Sequence, residues 1–339
     1  MSVSGGRDRL TPVFLLTGFL GSGKTTLLQR IVVDPAFAGA AVLINEFGEV
    51  GLDHHLLERI DETTVLMKSG CVCCTVRGEL AEALVDLDAR RASGAIPAFD
   101  RVIIETSGLA DPYPALSTLR AHPVLVHHFR LGATVTTVDA VNGGRLLGER
   151  LEAVRQVAAA DILVLTKTDV CGEREAAALV ESLAALNPTA PPRVGAEGIA
   201  EAMASTESRQ RGWAVTCAPL SHHAESGVRT LCLTVNEGID WTAFGLWLSM
   251  LLNRHGERIY RVKGILNVEG EPRPVALHGV GRLVHPPIHL SAWPDQERAS
   301  RLVFIFEGLE PAAIERSFDI FVRRRRTSRV DRSAAEEVA

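Results

Sequence analysis

Eight consecutive residues, Gly18-Phe19-Leu20-Gly21-Ser22-Gly23-Lys24-Thr25, restrict this chain more than any other stretch. They fit the phosphate-loop pattern G-x-x-x-x-G-K-[ST] without substitution. The apolar run at 12–17 reads as a buried strand, and 26–32 reads as a helix. An anion-binding loop requires that order. Glycines let the backbone curl so that successive N–H groups point inward at phosphate oxygens. The following helix adds the positive end of its dipole to the same site. In this pattern Lys24 reaches the β- and γ-phosphates, and the Thr25 hydroxyl takes Mg²⁺. Gly18, Gly21, Ser22, Gly23, Lys24, Thr25 and Thr26 are the first candidate nucleotide contacts. A strand–loop–helix start predicts an α/β fold.

Composition sets outer limits. A length of 339 residues exceeds the ~250–300 at which single cores stop growing, so two domains are expected. Hydrophobic residues make up 46% of the chain, enough for a sizeable core. A net charge of −5 gives no general attraction to nucleic acid or to an anionic membrane, and neither partner is expected. The start, MSVSGGRDRL, lacks the apolar segment of a secretory signal. No apolar run approaches the ~20 residues of a membrane span. The expectation is a soluble, cytoplasmic protein. In that compartment the six cysteines read as ligands, reactive thiols or core residues rather than as disulfides.

Past the phosphate loop, 40–44 is a second apolar strand. It ends in Asn45-Glu46-Phe47-Gly48-Glu49-Val50-Gly51-Leu52-Asp53. In a parallel α/β sheet, loops at strand C-termini line the ligand crevice. Three acids on such a loop suit a switch or metal-responsive segment, and equally an ordinary polar loop with glycine turns. A strand at 63–67 then runs into Lys68-Ser69-Gly70-Cys71-Val72-Cys73-Cys74-Thr75, with a helix over 76–91. Half of the cysteines sit here within four positions. A thiolate-rich loop selects soft or borderline ions such as Zn²⁺, Co²⁺ or Cu⁺. The span is too short for a closed four-cysteine site, which draws ligands from separate segments. The leading reading is an open metal site on Cys71, Cys73 and Cys74. Glu46, after the expected neighbouring strand, is the candidate fourth ligand. Buried cysteines, or a vicinal redox pair at Cys73-Cys74, are the other readings.

The strand at 99–105 ends in Glu105, followed by Thr106-Ser107-Gly108. This resembles the Walker B position, where an acid at the strand end holds Mg²⁺ and a glycine N–H lies near the γ-phosphate. With a full phosphate loop and E-x-x-G spacing, Glu105 and Gly108 become strong candidates. Lys24, Thr25 and Glu105 are the expected catalytic set. Strands at 133–139 and 161–165 follow, and the second opens into Thr166-Lys167-Thr168-Asp169. That tetrad resembles the guanine-specificity motif [NT]-K-x-D of GTPases. A carboxylate at Asp169 can accept from both N1–H and the 2-amino group of guanine, which adenine cannot offer. The Lys167 stem packs over the base while its head stays wet. Thr166 stands where Asn is commoner. GTP is favoured over ATP.

A helix at 173–186 stops at Asn187-Pro188. The pattern fades from 195 to 227; His222-His223 there offers two imidazoles to a metal, but an exposed loop pair is the leading reading. It returns with a strand at 228–235 and a helix at 240–255, with Asp240 as its N-cap. Strands at 258–268, 273–283 and 301–306 follow, then a helix at 311–322. The predicted organisation is a P-loop NTPase domain with a mainly parallel sheet over 8–205 and a linker over 206–227. A smaller α+β domain over 228–322 and a disordered tail over 323–339 complete it.

GFLGSGKTT, NEFGEVGLD, GCVCCT, ETSGLADP and TKTD, in this order, resemble the CobW family of P-loop GTPases, relatives of the UreG and HypB metallocentre-assembly proteins. HGERIYRVKGIL and GVGRLVHPPIHLSAW resemble the CobW C-terminal domain. The resemblance covers nearly the whole chain. Its most specific mark is G-C-x-C-C between the phosphate loop and the Walker B strand. It implies slow GTP hydrolysis with Mg²⁺, and delivery of Zn²⁺ or Co²⁺ to a client metalloprotein. The alternative is a nucleotide-gated activator, as in cobalamin synthesis or nitrile hydratase maturation, that does not itself carry the metal. The family's long His-rich linker is reduced here to His222-His223, which argues against metal storage. The sequence does not fix the oligomeric state.

Overall fold

Thr11–Gly18 (β1) is buried nearly throughout, and Leu15 and Leu16 are wholly buried. A strand buried on both faces belongs inside a parallel sheet covered by helices on both sides. The computed structural model, which describes residues 10–44, 65–68, 76–204, 221–223 and 227–323, places β1 in that position. Its sheet runs in the order β3 (Val65–Lys68), β2 (Ala40–Ile44), β4 (Arg101–Glu105), β1, β5 (Phe129–Asp139), β6 (Ile162–Thr166), β7 (Pro192–Val194). Every pairing in it is parallel. The helices of this unit are α1 (Lys24–Val32), α2 (Val76–Ala92), α3 (Pro112–Ala121), α4 (Leu125–His128), α5 (Gly143–Glu149), α6 (Leu151–Ala159), α7 (Glu173–Leu186) and α8 (Ile199–Ala204). Leu27, Leu28 and Ile31 form one stripe of α1 and pack on Phe14, Leu16, Val42 and Ile103 of the sheet.

A parallel sheet gathers all strand C-termini at one edge. Here Ile44 pairs with both Glu105 and Lys68, Leu16 pairs with Glu105, and Asp139 pairs with Thr166. The C-terminal ends of β3, β2, β4, β1, β5 and β6 therefore lie side by side.

The described residues form two compact units. The second holds Ala185–Thr189 and the chain from Ser221 onward. Its sheet runs β12 (Leu283–Val284), β11 (Val275–Val280), β10 (Ile259–Leu266), β14 (Ser300–Glu307), β9 (Val228–Val235), β8 (Ser221–His223), with β13 (Ile288–His289) on β11. All pairings are antiparallel. Phe244, Trp247, Leu248 and Leu252 line one face of α9 (Trp241–His255) and pack on Leu231, Val262, Leu302 and Phe304. Asp240 caps that helix by accepting from the Ala243 N–H at 2.9 Å. Trp247 meets Phe304 and Phe318 edge-on, and its Nε1 donates to Ser317 Oγ at 2.9 Å.

Several expectations are corrected. His222-His223 belong to strand β8, paired with Arg229 and Val228, rather than to a loop. The strand expected over 273–283 breaks into β11 and β12, because Gly281 turns the chain at φ 59°. The last helix, α10 (Pro311–Phe318), gives way to a π turn at Asp319–Arg323. Strand β7 and helices α5 and α6 were not expected. Cys232 on β9 is disulfide-bonded where a reduced thiol was expected. Most of the predicted 206–227 linker and all but Arg323 of the 323–339 tail lie outside the described residues.

Candidate functional site

The loop between β1 and α1 is closed by backbone curvature and two hydroxyl contacts. Gly18 has φ 143°, and a Cβ there would fall 2.3 Å from Thr137 Oγ1 and 2.5 Å from the Thr137 carbonyl. Only glycine fits. Gly21 and Gly23 take φ 70° and 87°, the left-handed region. The Ser22 N–H donates to Phe19 O at 3.1 Å, and the Ser22 and Thr137 hydroxyls bond at 2.7 Å. Gly23 is the N-cap of α1 and offers no side-chain cap, so the first N–H groups of that helix keep their capacity for an anion. Lys24 is 9% exposed, and its Nζ donates to Gly18 O at 3.0 Å and Phe19 O at 3.2 Å. Thr26 is exposed on the first turn.

Glu105, at the end of β4, is 5% exposed and accepts from Thr25 Oγ1 at 2.8 Å. The chain beyond it is pinned to β1, with Thr106 N donating to Leu16 O and Thr106 Oγ1 to Thr17 Oγ1, both at 2.9 Å. Gly108 then lies directly against the phosphate loop. A Cβ on Gly108 would fall 2.7 Å from Leu20 N and 2.8 Å from Leu20 Cα. The E-x-x-G glycine is thus a close-approach residue.

On the other flank, Thr166 Oγ1 is within bonding distance of Ser22 O at 2.8 Å and Val138 O at 3.2 Å. A hydroxyl at this position still reaches the phosphate loop, where the commoner Asn would offer an amide. Lys167 has φ 56°, the single positive φ of a non-glycine among the described residues. Its ammonium donates to Asp139 Oδ2 at 2.8 Å. Asp139 also accepts from Asn142 Nδ2 and from the Val141 and Asn142 N–H groups. Burial pushes its carboxyl upward; the Lys167 ammonium and those three donors outweigh burial and hold it below the usual value. Asp169 is exposed at the end of the same turn.

The geometry brings Gly18, Gly21, Ser22, Gly23, Lys24, Thr25, Glu105, Gly108, Thr166 and Lys167 to one sheet edge. Thr137 and Asp139 belong with them. Asp139 is the last residue of the strand expected at 133–139, and no motif singles it out; its place opposite Thr166 emerges only in the sheet. Glu46, Cys71, Cys73 and Cys74 lie outside the described residues. The strands that precede them, β2 and β3, are neighbours. Among the described residues, no group of three or more His, Cys, Asp and Glu side chains could hold a metal ion. No helix among them is long and apolar enough to cross a membrane.

The family model for the CobW/HypB/UreG nucleotide-binding domain matches residues 12–192, and that for the cobalamin synthesis protein cobW C-terminal domain matches 228–322. The chain is 33% identical to the zinc chaperone YjiA of Escherichia coli over 320 residues, covering 90% of this chain and 97% of that one. It is 28% identical to the zinc chaperone CobW of Pseudomonas aeruginosa, covering 89% of each. Among solved structures, Zn(II)-bound YjiA GTPase from E. coli superposes with a TM-score of 0.72 at 30% identity, covering 92% of this chain and 99% of that chain.

Proposed function

The chain belongs to the CobW/HypB/UreG family, and from that premise we propose that it is a GTP-hydrolysing metallochaperone that carries Zn²⁺ to a client metalloprotein. The observation that carries this reading is the convergence on α1. The Lys24 ammonium, the uncapped start of the helix and the Thr25–Glu105 oxygen pair share one end of it. Transfer of a phosphoryl group to water needs positioning and charge neutralisation more than covalent chemistry from the protein. Lys24 turns from the Gly18 and Phe19 carbonyls to the β- and γ-phosphate oxygens. The α1 N–H groups take the remaining phosphate charge. Thr25 and Glu105 would hold Mg²⁺, since a hydroxyl and a carboxylate 2.8 Å apart are the hard oxygen donors it takes. Bound there, Mg²⁺ neutralises charge on the phosphates.

Asp169 and the Lys167 stem read the guanine, while Asp139 keeps the Lys167 head off the base. No glutamine of the described loops is placed to orient the attacking water. Slow intrinsic turnover is the expectation that goes with this reading, with a partner completing the site. The cargo site is assigned to Cys71, Cys73 and Cys74, with Glu46 as fourth ligand. Zn²⁺ is the cargo that the names of the relatives support, and Co²⁺ meets the same donor set. The client is a metalloprotein, with its identity open.

Equilibrium dialysis tests the cargo assignment. The unaltered protein is expected to retain Zn²⁺, and Cys71→Ala/Cys73→Ala/Cys74→Ala to lose it while still binding GTP. Equal Zn²⁺ retention by both would move the site elsewhere. No retention by either would leave a GTPase activator that carries no metal.

A further inference from the structure

Gln156 of α6 is 1% exposed. Its Nε2 donates to two carbonyls, Gly108 O and Ala110 O, each at 3.0 Å. Its Oε1 is buried and makes no hydrogen bond among the described residues. A leucine would fill the same space without burying an unbonded acceptor, so packing alone does not account for an amide here. The residue before it, Arg155, pairs with Asp111 at 3.1 Å. Asp111 in turn caps α3 by accepting from Tyr113 N at 2.9 Å. Two successive residues of one helix thus grip positions 108, 110 and 111 of the loop after β4.

The helix is itself fixed from below, where Thr136 Oγ1 of β5 donates to Gln156 O at 2.9 Å. On its other side the loop touches the phosphate loop, since Gly108 has no room for a Cβ against Leu20. Gly108 therefore sits between a nucleotide-contacting loop and the Gln156 amide.

We propose that Gln156 is a positioning residue for GTP turnover: it sets the pose in which Gly108 meets the γ-phosphate, and with Arg155 it makes α6 the fixed mount of the nucleotide-sensing loop. This rests on the GTPase reading above. GDP is held by the phosphate loop and the Thr166-Lys167-Thr168-Asp169 turn, which Gln156 does not bond. Loss of the amide should act on the chemical step and leave GDP binding intact.

The test is steady-state hydrolysis and GDP affinity for the full chain and its variants. Gln156→Leu keeps bulk and removes both donors; kcat is expected to fall at least about tenfold with KM within about threefold and GDP affinity unchanged. Gln156→Glu is isosteric and points lone pairs at both carbonyls. Its kcat should fall as far, then recover relative to the parent as pH drops toward about 5, where a buried carboxyl regains a proton to donate. A side chain that only packs gives no such recovery. Arg155→Met should shift kcat in the same direction by less. Parental kcat in Gln156→Leu overturns the proposal, and so does a Gln156→Glu profile parallel to the parent's. Should Gln156→Leu fail to bind GDP, and so to fold, the other two variants decide. If the unaltered protein turns over no GTP, the GTPase reading fails by itself. The mount is then judged by affinity for a non-hydrolysable GTP analogue relative to GDP: a ratio lowered in Gln156→Leu supports it, and an unchanged ratio overturns it.

Discussion

Lys24 is a nearly buried cation whose ammonium lies on two carbonyls of its own loop. Those bonds hold it at the loop proposed to take the phosphates. Lys24→Ala should therefore lower GTP hydrolysis by about 10²–10³ or more, the scale for losing one donor to developing charge. The far-ultraviolet circular dichroism should match the parent's. A folded variant that hydrolyses GTP at the parental rate would assign the activity to another site. Asp169→Ala leaves two guanine donors without an acceptor, so the GTP-over-ATP preference should collapse. Competition binding measures it, and equal affinities in the unaltered protein would remove the base assignment. At this scale the sequence was informative where a motif fixes both residue type and spacing, as for Lys24, Thr25 and Glu105. It was silent on Gln156, whose partners lie 48 and 46 positions away.

The ends of β5 and β6 form a second supporting element, with Asp139 bonded across to Lys167. The native pKa of Asp139 lies below its unfolded value. It therefore adds stability that is present above that unfolded value, about 3.9, and is lost as pH falls through the lower native one. Lys167 is half exposed, so solvent screens much of the pair. Urea midpoints of the parent and Asp139→Asn should differ by a constant amount above about pH 5, with the gap starting to close near about pH 4 and shrinking as pH falls further through the native pKa. A gap that persists undiminished into acid would mean the carboxylate charge contributes nothing. Buried parallel strands were legible because their apolar runs are continuous, as in Val102-Ile103-Ile104. β7 was not, being three residues long and mostly exposed. α5 hid behind three glycines, Gly143, Gly144 and Gly148. The split of β11 from β12 turned on one glycine inside an otherwise strand-like run.

For the molecule as a whole, the parallel sheet is what would join the proposed nucleotide and metal sites. The phosphate loop follows β1, Glu105 ends β4, Glu46 follows β2 and the cysteine loop follows β3, and the order β3-β2-β4-β1 makes these four strands neighbours. That β2 and β3 are neighbours and that these loops share the edge of strand C-termini was expected from the sequence; the placement of β4 between β2 and β1 was not. The antiparallel second sheet was legible as an α+β unit, since its strands and helix α9 carry clear apolar patterns. A γ-phosphate can order neighbouring loops, and its loss can release them. We therefore predict that GTP assembles the proposed metal site and GDP loosens it. Linkage requires that Mg-GTP raise Zn²⁺ affinity by the same factor by which Zn²⁺ raises Mg-GTP affinity. The decisive measurement is a Zn²⁺ competition titration with a non-hydrolysable GTP analogue, with GDP and without nucleotide. The predicted result is tighter Zn²⁺ binding in the GTP-analogue state by about 5–150-fold; identical Zn²⁺ affinity in all three states would contradict the account.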